Sequence, residues 1–423
     1  MAAAQVRYTR GPTSFTEMAR LTGEFADWHN LLHMAMWLDG ELNVAALQDA
    51  WWRVCLRHDV MRRTYVSADE ACTYAEPLSE VELHTAESDA AAVELMRGTI
   101  GAPFSLDGPG FSRIVVVQRS ERRHLFGIAM DHIVSDLISW SRVWADFIDF
   151  YDRALVGDAG DVTNANSYQS FASEQRRLFA GEWGEARRTF WRSYISEFGT
   201  FPPPFAVGGK HTGEYAPRTV TRELPADAKS RVHKLSLQAR ATPHAVITSS
   251  VLTAMRDVTG EPQVGITVNQ HGRMLKGTAY TAGLFVQTVP LHLGRHSRSP
   301  LDTVQEVFHR THDVSEYSLP LRVVGKYWNE TMMLANQEPG LSVSLNEHPP
   351  TSDNPVPFTG TEAEYVQLNI PGGKRWPETV VVAWNLYETG PELVARYNEN
   401  RFPRAAVEQL LEAAERFALQ GIS

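Results

Sequence analysis

The chain has 423 residues, of which 43% are apolar and 21% charged, and its 40 basic and 50 acidic side chains give a net charge of −10. A chain of this length is long enough for two or three domains whose cores need no disulfide or metal to hold them. The acidic balance argues against non-specific binding to nucleic acid and against docking on an anionic membrane. Only two cysteines are present, Cys55 and Cys72, and the absence of a CxxC motif argues against a zinc ribbon or a disulfide framework.

The N-terminal sequence MAAAQVRYTRGPTSF lacks the apolar core of a signal peptide. No uncharged apolar run approaches the roughly 18 residues that a membrane-spanning helix needs. These features predict a cytoplasmic protein that does not enter a membrane.

The first part of the chain alternates predicted strands and helices. Residues 31–39 read as a strand, and Asn43 is placed to cap the helix that follows it. Two further strands, 111–118 and 124–131, precede a helix that begins near Ile138, where apolar residues recur at helical spacing. The charged and aromatic segment 166–197 is typical of one or two amphipathic helices.

The rest of the chain repeats this mixture of elements. Helices are predicted near 225–239, 243–258, 301–315, 320–333 and 403–420, and strands near 263–269, 284–293, 341–346, 363–369, 378–386 and 391–397. The pattern predicts an α/β protein with two lobes, 1–175 and 176–423.

Several common catalytic and nucleotide-binding motifs are absent from the sequence. It has no GxxxxGK[ST] loop, no GxGxxG after a strand, no HExxH and no GxSxG elbow. Its 15 histidines show no clear metal-ligand spacing. Nucleotide, zinc and serine-hydrolase chemistry are therefore disfavoured, and no metal site is predicted.

The segment from Met130 to Leu137, MDHIVSDL, lies where an apolar strand ends and a helix begins. A histidine there can act as a general base, because its ordinary pKa lies near neutrality. Asp131 precedes His132, so on an extended strand the two side chains point to opposite faces. Asp136 is placed either to orient His132 or to pair with a distant cation, and the spacing does not choose between these roles.

This segment resembles the HHxxxDG motif of the condensation domains of nonribosomal peptide synthetases and the HxxxD motif of the wider chloramphenicol acetyltransferase-like superfamily. Other segments resemble condensation-domain motifs in the family's order: 57–65 (RHDVMRRTY), 104–109 (FSLDGP), 272–273 followed by 283–291 (GLFVQTVPL), and 397–402 (YNENRF). The resemblance covers about residues 13–420.

The resemblance implies an α/β fold of two chloramphenicol acetyltransferase-like lobes, which form a V-shaped pseudo-dimer with a central tunnel. His132 is then the catalytic residue in the tunnel, and Asp136 forms a buried, structural ion pair with Arg273. The acyl donor is a thioester on the phosphopantetheine arm of an acyl or peptidyl carrier protein, or coenzyme A. The acceptor is an amine or hydroxyl, and neither a bound cofactor nor a metal is needed. The sequence leaves open which acyl group and acceptor are used.

Three positions depart from the family pattern, and all three are candidates to line the tunnel or contact substrate. Asp131 replaces the first histidine, Leu137 replaces the glycine, and Gln287 replaces the asparagine of FVNT. We expect Leu137 to line the tunnel and narrow its acceptor half. Ser344 and Asn346, on a late strand, are candidates for a hydrogen bond to the tetrahedral oxyanion.

The extent of the resemblance predicts a free-standing, monomeric enzyme that acts in trans in natural-product biosynthesis, including that of antibiotics. Two alternatives remain: an acyl-CoA-dependent acyltransferase, and a non-catalytic recruitment module, which Asp131 and Leu137 favour. Arginine clusters such as Arg57, Arg62 and Arg63 are candidate docking surfaces for an acidic carrier protein.

Overall fold

Helices and strands alternate along the chain, as the sequence indicates. The structure is a computed structural model that describes residues 7–22, 31–106, 108–158, 160–163, 167–198, 216–294, 299–319, 323, 340–346, 357–370, 379–388 and 390–420. Its helices are α1 Phe15–Thr22, α2 Val44–Arg57, α3 Asp89–Ile100, α4 Leu137–Leu155, α5 Tyr168–Phe179, α6 Glu182–Phe198, α7 Ala228–Gln238, α8 Pro243–Thr259, α9 Pro300–Glu316 and α10 Arg404–Gln420. No helix in these ranges is both long enough and apolar enough to cross a membrane.

The strands are mostly short and belong to three sheets. They are β1 Tyr8–Pro12, β2 Leu31–Gly40, β3 Arg63–Tyr65, β4 Glu70–Tyr74, β5 Val81–Thr85, β6 Ser112–Ser120, β7 Arg123–Asp131, β8 Pro217–Glu223, β9 Val264–Gln270, β10 Gln287–Leu293, β11 Gly340–Asn346, β12 Thr361–Tyr365, β13 Thr379–Asn385 and β14 Glu392–Asn398. The helix predicted near 320–333 lies outside the described residues. The elements that the sequence did not indicate are α1, α3, β1, β3, β4, β5 and β8.

Contacts divide the chain into two units. The first consists of Met1–Gly181, Arg273–Val286 and Thr351–Lys374, and the second of Glu182–Gly272, Gln287–Pro350 and Arg375–Ser423. Two later segments of the chain therefore belong with the N-terminal part. The predicted lobes, 1–175 and 176–423, are two continuous stretches, whereas the two units are discontinuous. The boundary near residue 175 therefore stays a prediction.

The first unit is built on a five-stranded sheet of order β12-β2-β7-β6-β5, in which β7 is central. Side chains of β7 alternate between two buried clusters, as a strand covered on both faces requires. Phe126, Ile128 and Met130 join the cluster that contains residues of α2 and α4. Leu125 and Ala129 join the cluster that contains residues of α3. The end of β7 is thus fixed by packing on both faces.

The second unit contains a six-stranded sheet of order β10-β9-β11-β13-β14-β8. Strand β11 runs parallel to β9 and β13, whereas the other neighbouring pairs are antiparallel. Helices α8 and α10 pack against each other in this unit. It therefore has a sheet and helix layer of its own.

A buried ion pair between Arg63 and Glu17 joins β3 to α1 in the first unit. Arg63 Nε lies 2.6 Å from Glu17 Oε1, and both side chains are fully buried. Tyr65 donates to Glu17 Oε1 at 2.8 Å, and the Ser14 amide donates to Glu17 Oε2 at 2.6 Å. Since Arg63 is inaccessible to a partner protein, its interpretation as part of a docking surface is wrong.

Asn43 caps α2, as its position in the sequence predicts. Its side-chain oxygen accepts from the Ala46 amide at 3.0 Å. We expect Asn43→Ala to lower the free energy of unfolding by about 1 kcal/mol, because the amide loses its acceptor. Urea denaturation measures this loss. Asn43→Ser, which restores a capping oxygen, should recover most of it, and equal losses in both variants would contradict the capping role.

Candidate active site

The segment that carries His132 connects β7, which ends at Asp131, to α4, which begins at Leu137. The chain makes a tight turn there: the Val134 amide donates to Asp131 O at 3.1 Å, and the Ser135 amide donates to His132 O at 3.4 Å. Ile133, Val134 and Ser135 are buried, while His132 is half-buried. The buried residues that follow His132 therefore anchor the turn, while His132 itself is only partly covered.

Asp136 is the N-terminal cap of α4. Its Oδ1 accepts from the Ser139 amide at 2.8 Å, and the Ser139 hydroxyl lies 2.7 Å from the same oxygen. Oδ2 accepts from the Phe285 amide at 3.1 Å. The carboxylate thus provides the acceptor that the Ser139 amide in the first turn of α4 needs, and its negative charge lies at the positive end of the helix.

Arg273 forms the ion pair with Asp136 that the family resemblance implies. Its Nη1 lies 2.7 Å from Asp136 Oδ2 and its Nη2 lies 2.9 Å from Oδ1, a bidentate arrangement. Both side chains are only 4% exposed. The guanidinium also lies 4.2 Å from the centre of the Phe285 ring. Of the two roles open to Asp136, the structure therefore shows pairing with a distant cation.

The pKa of Asp136 reflects these contacts. Burial alone would raise it, but the hydrogen bonds and charge of Arg273, together with the donors of Ser139, lower the pKa of Asp136 below its ordinary value. The carboxylate is thus ionised at neutral pH and holds the start of α4 against the segment that contains Arg273.

Ser139, Gly283 and Phe285 complete this network, although the resemblance assigns no role at the site to these three residues. The Ser139 hydroxyl accepts from the Gly283 amide at 2.9 Å and lies 2.8 Å from the Gly283 carbonyl oxygen. Gly283 has a φ of +151°, and a Cβ there would lie 2.0 Å from the Tyr168 ring. Glycine is therefore required at this close approach. The residue three positions after a capping aspartate donates its amide to that aspartate, so the position of Ser139 is the sequence signal for its role.

Leu137 and Asp131 lie on either side of the turn and differ in exposure. Leu137 is 75% exposed at the first position of α4, whereas Asp131 is 3% exposed. The Asp131 carboxylate accepts from the Ile133 amide at 2.7 Å and pairs with Arg20 at 3.4 Å. The expectation that Leu137 lines the tunnel stays a prediction.

Gln287, Ser344 and Asn346 belong to the second unit. Gln287 begins β10, is 8% exposed and donates to the Ser318 hydroxyl at 2.5 Å. Ser344 and Asn346 lie two residues apart on β11, in register with Ala383 and Asn385 of β13. Their backbone positions are described, but their side chains lie outside the described part. Their oxyanion role stays a prediction.

A cavity of about 610 Å³ opens in the first unit beside the start of α4. Among its lining residues are Arg57, His58, Arg142, Asp146 and Tyr280. Asp146 lies 3.1 Å from Arg57 and 2.7 Å from His58, and the Arg142 guanidinium lies 4.5 Å from the centre of the Tyr280 ring. A docking role for Arg57 therefore remains a prediction, in contrast to the buried Arg63.

Within the described ranges, no group of three or more histidine, cysteine, aspartate or glutamate side chains is placed to hold a metal ion. Cys55 and Cys72 are both buried and unbridged. Burial raises the pKa of the Cys55 thiol to about 12, so it stays protonated at neutral pH.

Comparison with known proteins identifies the family. Residues 26–420 match the condensation domain family. The chain belongs to the condensation domain family. Condensation domains catalyse amide bond formation and act on substrates carried on the phosphopantetheine arms of carrier proteins. Their fold is the chloramphenicol acetyltransferase-like α/β fold that the sequence resemblance implies.

Curated relatives of this condensation domain are peptide synthetases. The chain is 25% identical over 297 residues to a linear gramicidin synthase of Brevibacillus parabrevis, covering 66% of this chain and 4% of that protein. It is 26% identical over 288 residues to phosphinothricin tripeptide synthetase PhsB of Streptomyces viridochromogenes, covering 61% of this chain and 22% of that protein. The chain thus spans less than a quarter of the length of either relative.

Solved structures share the fold at lower sequence identity. The first condensation domain of the CDA synthetase is 17% identical with a TM-score of 0.68, covering 98% of this chain and 97% of that one. The X-domain in the complex of the X-domain and OxyB from teicoplanin biosynthesis is 16% identical with a TM-score of 0.79, covering 99% and 94% of the two chains. At these identities the likeness demonstrates a common fold.

Proposed function

We propose that this condensation domain is an acyltransferase in which His132 is the general base. The observation that supports this proposal is the bidentate pair of Asp136 and Arg273, which anchors the helix that follows the His132 turn. The motif histidine, the motif aspartate and Arg273 are all present, and the pair gives the helix after His132 a fixed start. The intact HxxxD motif therefore favours an enzyme over a recruitment module.

The reaction needs no protein nucleophile, because a thioester is already activated towards attack. His132 accepts the proton of the attacking amine or hydroxyl while the nucleophile forms a bond to the thioester carbonyl carbon. The tetrahedral oxyanion then collapses, the carbon–sulfur bond breaks, and the leaving thiolate takes up the proton from His132. Positioning of two substrates and exclusion of water supply the remaining acceleration.

The donor and acceptor follow from the same proposal. The donor is an acyl or aminoacyl thioester on a separate carrier protein, with coenzyme A as the alternative carrier. The acceptor is an amine or hydroxyl of a small molecule or of a second carrier-bound intermediate, so the product is an amide or an ester. Ser344 and Asn346 are the candidate donors to the oxyanion.

Intact-protein mass spectrometry tests the proposal. An acyl-loaded carrier protein is incubated with the wild-type domain and a panel of amine and hydroxyl acceptors, and loss of the acyl mass is followed with time. We expect acceptor-dependent acyl loss and formation of the matching amide or ester. Acyl-coenzyme A, supplied in a parallel series, distinguishes the two kinds of donor.

A non-catalytic recruitment module would give a different result. It would bind a carrier or another partner protein without acyl loss across the whole acceptor panel. Departures from the family motif at Asp131 and Leu137 make this outcome the main rival of the proposal. Binding without turnover would overturn the enzymatic proposal.

Leu137 is expected to restrict the acceptor. Because its side chain is 75% exposed at the start of α4, Leu137→Gly removes a bulky group without opening a cavity in the core. We expect the variant to accept larger acceptors, measured as a change in the ratio of kcat/KM between a large and a small acceptor. Leu237→Gly is the matched control, since Leu237 is 78% exposed near the end of α7. An unchanged ratio in Leu137→Gly would contradict this role.

A further inference from the structure

Asp131 stands where the family motif has its first histidine, and its carboxylate contacts both the Ile133 amide and Arg20. Its side chain is 4% exposed. Its backbone amide donates to Phe111 O at 2.9 Å, which fixes the end of β7 to the chain beside β6. A carboxylate this deeply buried is costly unless charged or hydrogen-bonded partners compensate for lost hydration.

The first partner is the backbone of the His132 turn itself. Asp131 Oδ1 accepts from the Ile133 amide at 2.7 Å, and Asp131 O accepts from the Val134 amide at 3.1 Å. The short side chain of aspartate is suited to this local bond to an amide two residues later. His132 therefore lies inside a turn that is closed by the residue directly before it.

The second partner comes from α1, far away in the sequence. Arg20 Nη2 lies 3.4 Å from Asp131 Oδ2, and the Arg20 side chain is only 13% exposed. The cation compensates the charge that aspartate brings into this position. The departure from the family motif is therefore matched by a basic residue on another element.

We infer that Asp131 is a positioning residue, which together with Arg20 holds the turn that carries His132, and that it acts through this turn rather than by contact with substrate. This inference rests on the proposed function for its kinetic consequences. It assigns Asp131 a role different from the substrate-contacting position expected from the sequence. It also explains how the domain retains an ordered motif without the first histidine.

Two substitutions separate the contributions of Asp131. Asp131→Asn keeps an oxygen for the Ile133 amide but removes the charge that pairs with Arg20, whereas Asp131→Ala removes both. We expect Asp131→Ala to lower the kcat of acyl transfer on the order of 10²-fold with little change in KM, since a small displacement of a catalytic group has effects of this size. Asp131→Asn should retain more activity than Asp131→Ala.

The contribution of the ion pair is measured by a double-mutant cycle with Arg20→Met. In an Asp131→Asn background, Arg20→Met should have a smaller effect on kcat/KM than in the wild type, because the pair is already broken. Arg20→Lys should restore part of the activity that Arg20→Met loses. If Arg20→Met lowers kcat/KM by the same factor in both backgrounds, the two residues do not act as a pair and the inference is contradicted.

Asp59→Ala provides a matched control. Asp59 is also a buried aspartate whose carboxylate accepts from two backbone amides, those of Tyr168 at 2.8 Å and Gln169 at 2.9 Å. All variants are assayed well below their thermal unfolding midpoints. We expect Asp59→Ala to lower the midpoint but keep the wild-type kcat. If Asp131→Ala also keeps the wild-type kcat, the inference is overturned.

Hydrogen–deuterium exchange gives a test that does not depend on turnover. In Asp131→Ala, the peptide covering residues 130–136 should exchange faster than in the wild type, with Asp131→Asn intermediate and Arg20→Met also accelerated. If the wild type transfers no acyl group but the wild type and the variants exchange in this order, the proposed function fails while the structural inference stands. Unchanged exchange in Asp131→Ala would overturn the inference, whatever the activity.

Discussion

His132→Ala is expected to lower the kcat of acyl transfer by about 10²–10⁴-fold, the range typical of the loss of a general acid or base. The physical reason is that the variant lacks the imidazole that takes the proton of the attacking amine or hydroxyl as the new bond forms. Because His132 is half-buried on a turn and is not part of the apolar core, the variant should remain folded. Single-turnover transfer from an acyl-loaded carrier protein, followed by mass spectrometry, measures the change.

A histidine elsewhere on the surface controls for general effects of the substitution. His312, on α9 in the second unit, has a side chain that is 70% exposed. His312→Ala should transfer the acyl group at the wild-type rate. Wild-type activity in His132→Ala would move the chemistry to another residue.

Local patterns along the chain were sufficient to predict much of the fold. The apolar run of β7 and the capping position of Asn43 are local signals, and the structure has a strand at Arg123–Asp131 and a capped helix at Val44–Arg57. The two helices α5 and α6 also lie within the segment 166–197 or within one residue of its end. In each case neighbouring residues determine the element.

Strand β12 shows what local patterns do not reveal. It was expected near 363–369, and it lies at Thr361–Tyr365, where it pairs with β2 at the edge of the first unit's sheet. The strand itself has a recognisable pattern, but its partner is more than 300 residues earlier in the chain. Pairing between such distant strands is determined by tertiary packing rather than by either sequence segment alone.

The active-site network illustrates the same difference. The pair of Asp136 and Arg273 was expected because both residues lie in motifs that resemble those of the family. The resemblance assigns Arg20 no role at the site, and its contact with Asp131 connects residues 111 positions apart. No periodicity or spacing rule relates two such side chains, so their contact could be found only in the structure.

Asp136→Ala is expected to lower the free energy of unfolding by about 3–5 kcal/mol, because it leaves the buried guanidinium of Arg273 without its charged partner. It also removes the acceptor for the Ser139 and Phe285 amides. Urea denaturation at neutral pH measures the loss. Asp149→Ala is a suitable control, since Asp149 pairs with Arg153 on α4 and the two side chains are 51% and 43% exposed, and exposed ion pairs contribute about 0–1 kcal/mol.

The same carboxylate predicts how stability depends on pH. The pKa of Asp136 is lower in the folded protein than its ordinary value, so its contribution is fully present above its unfolded pKa of about 3.9 and is lost as pH falls through the folded pKa. The wild type should therefore lose more stability on acidification below about pH 4 than Asp136→Asn, which has no proton to bind there. Parallel stability–pH curves for the two proteins would contradict an ionised Asp136. Asp136→Ala also separates folding from catalysis when its free energy of unfolding at neutral pH is compared with the acyl-transfer activity of the folded fraction. If the free energy falls by several kcal/mol while the folded fraction keeps full activity, Asp136 serves folding alone and the catalytic role stays with His132.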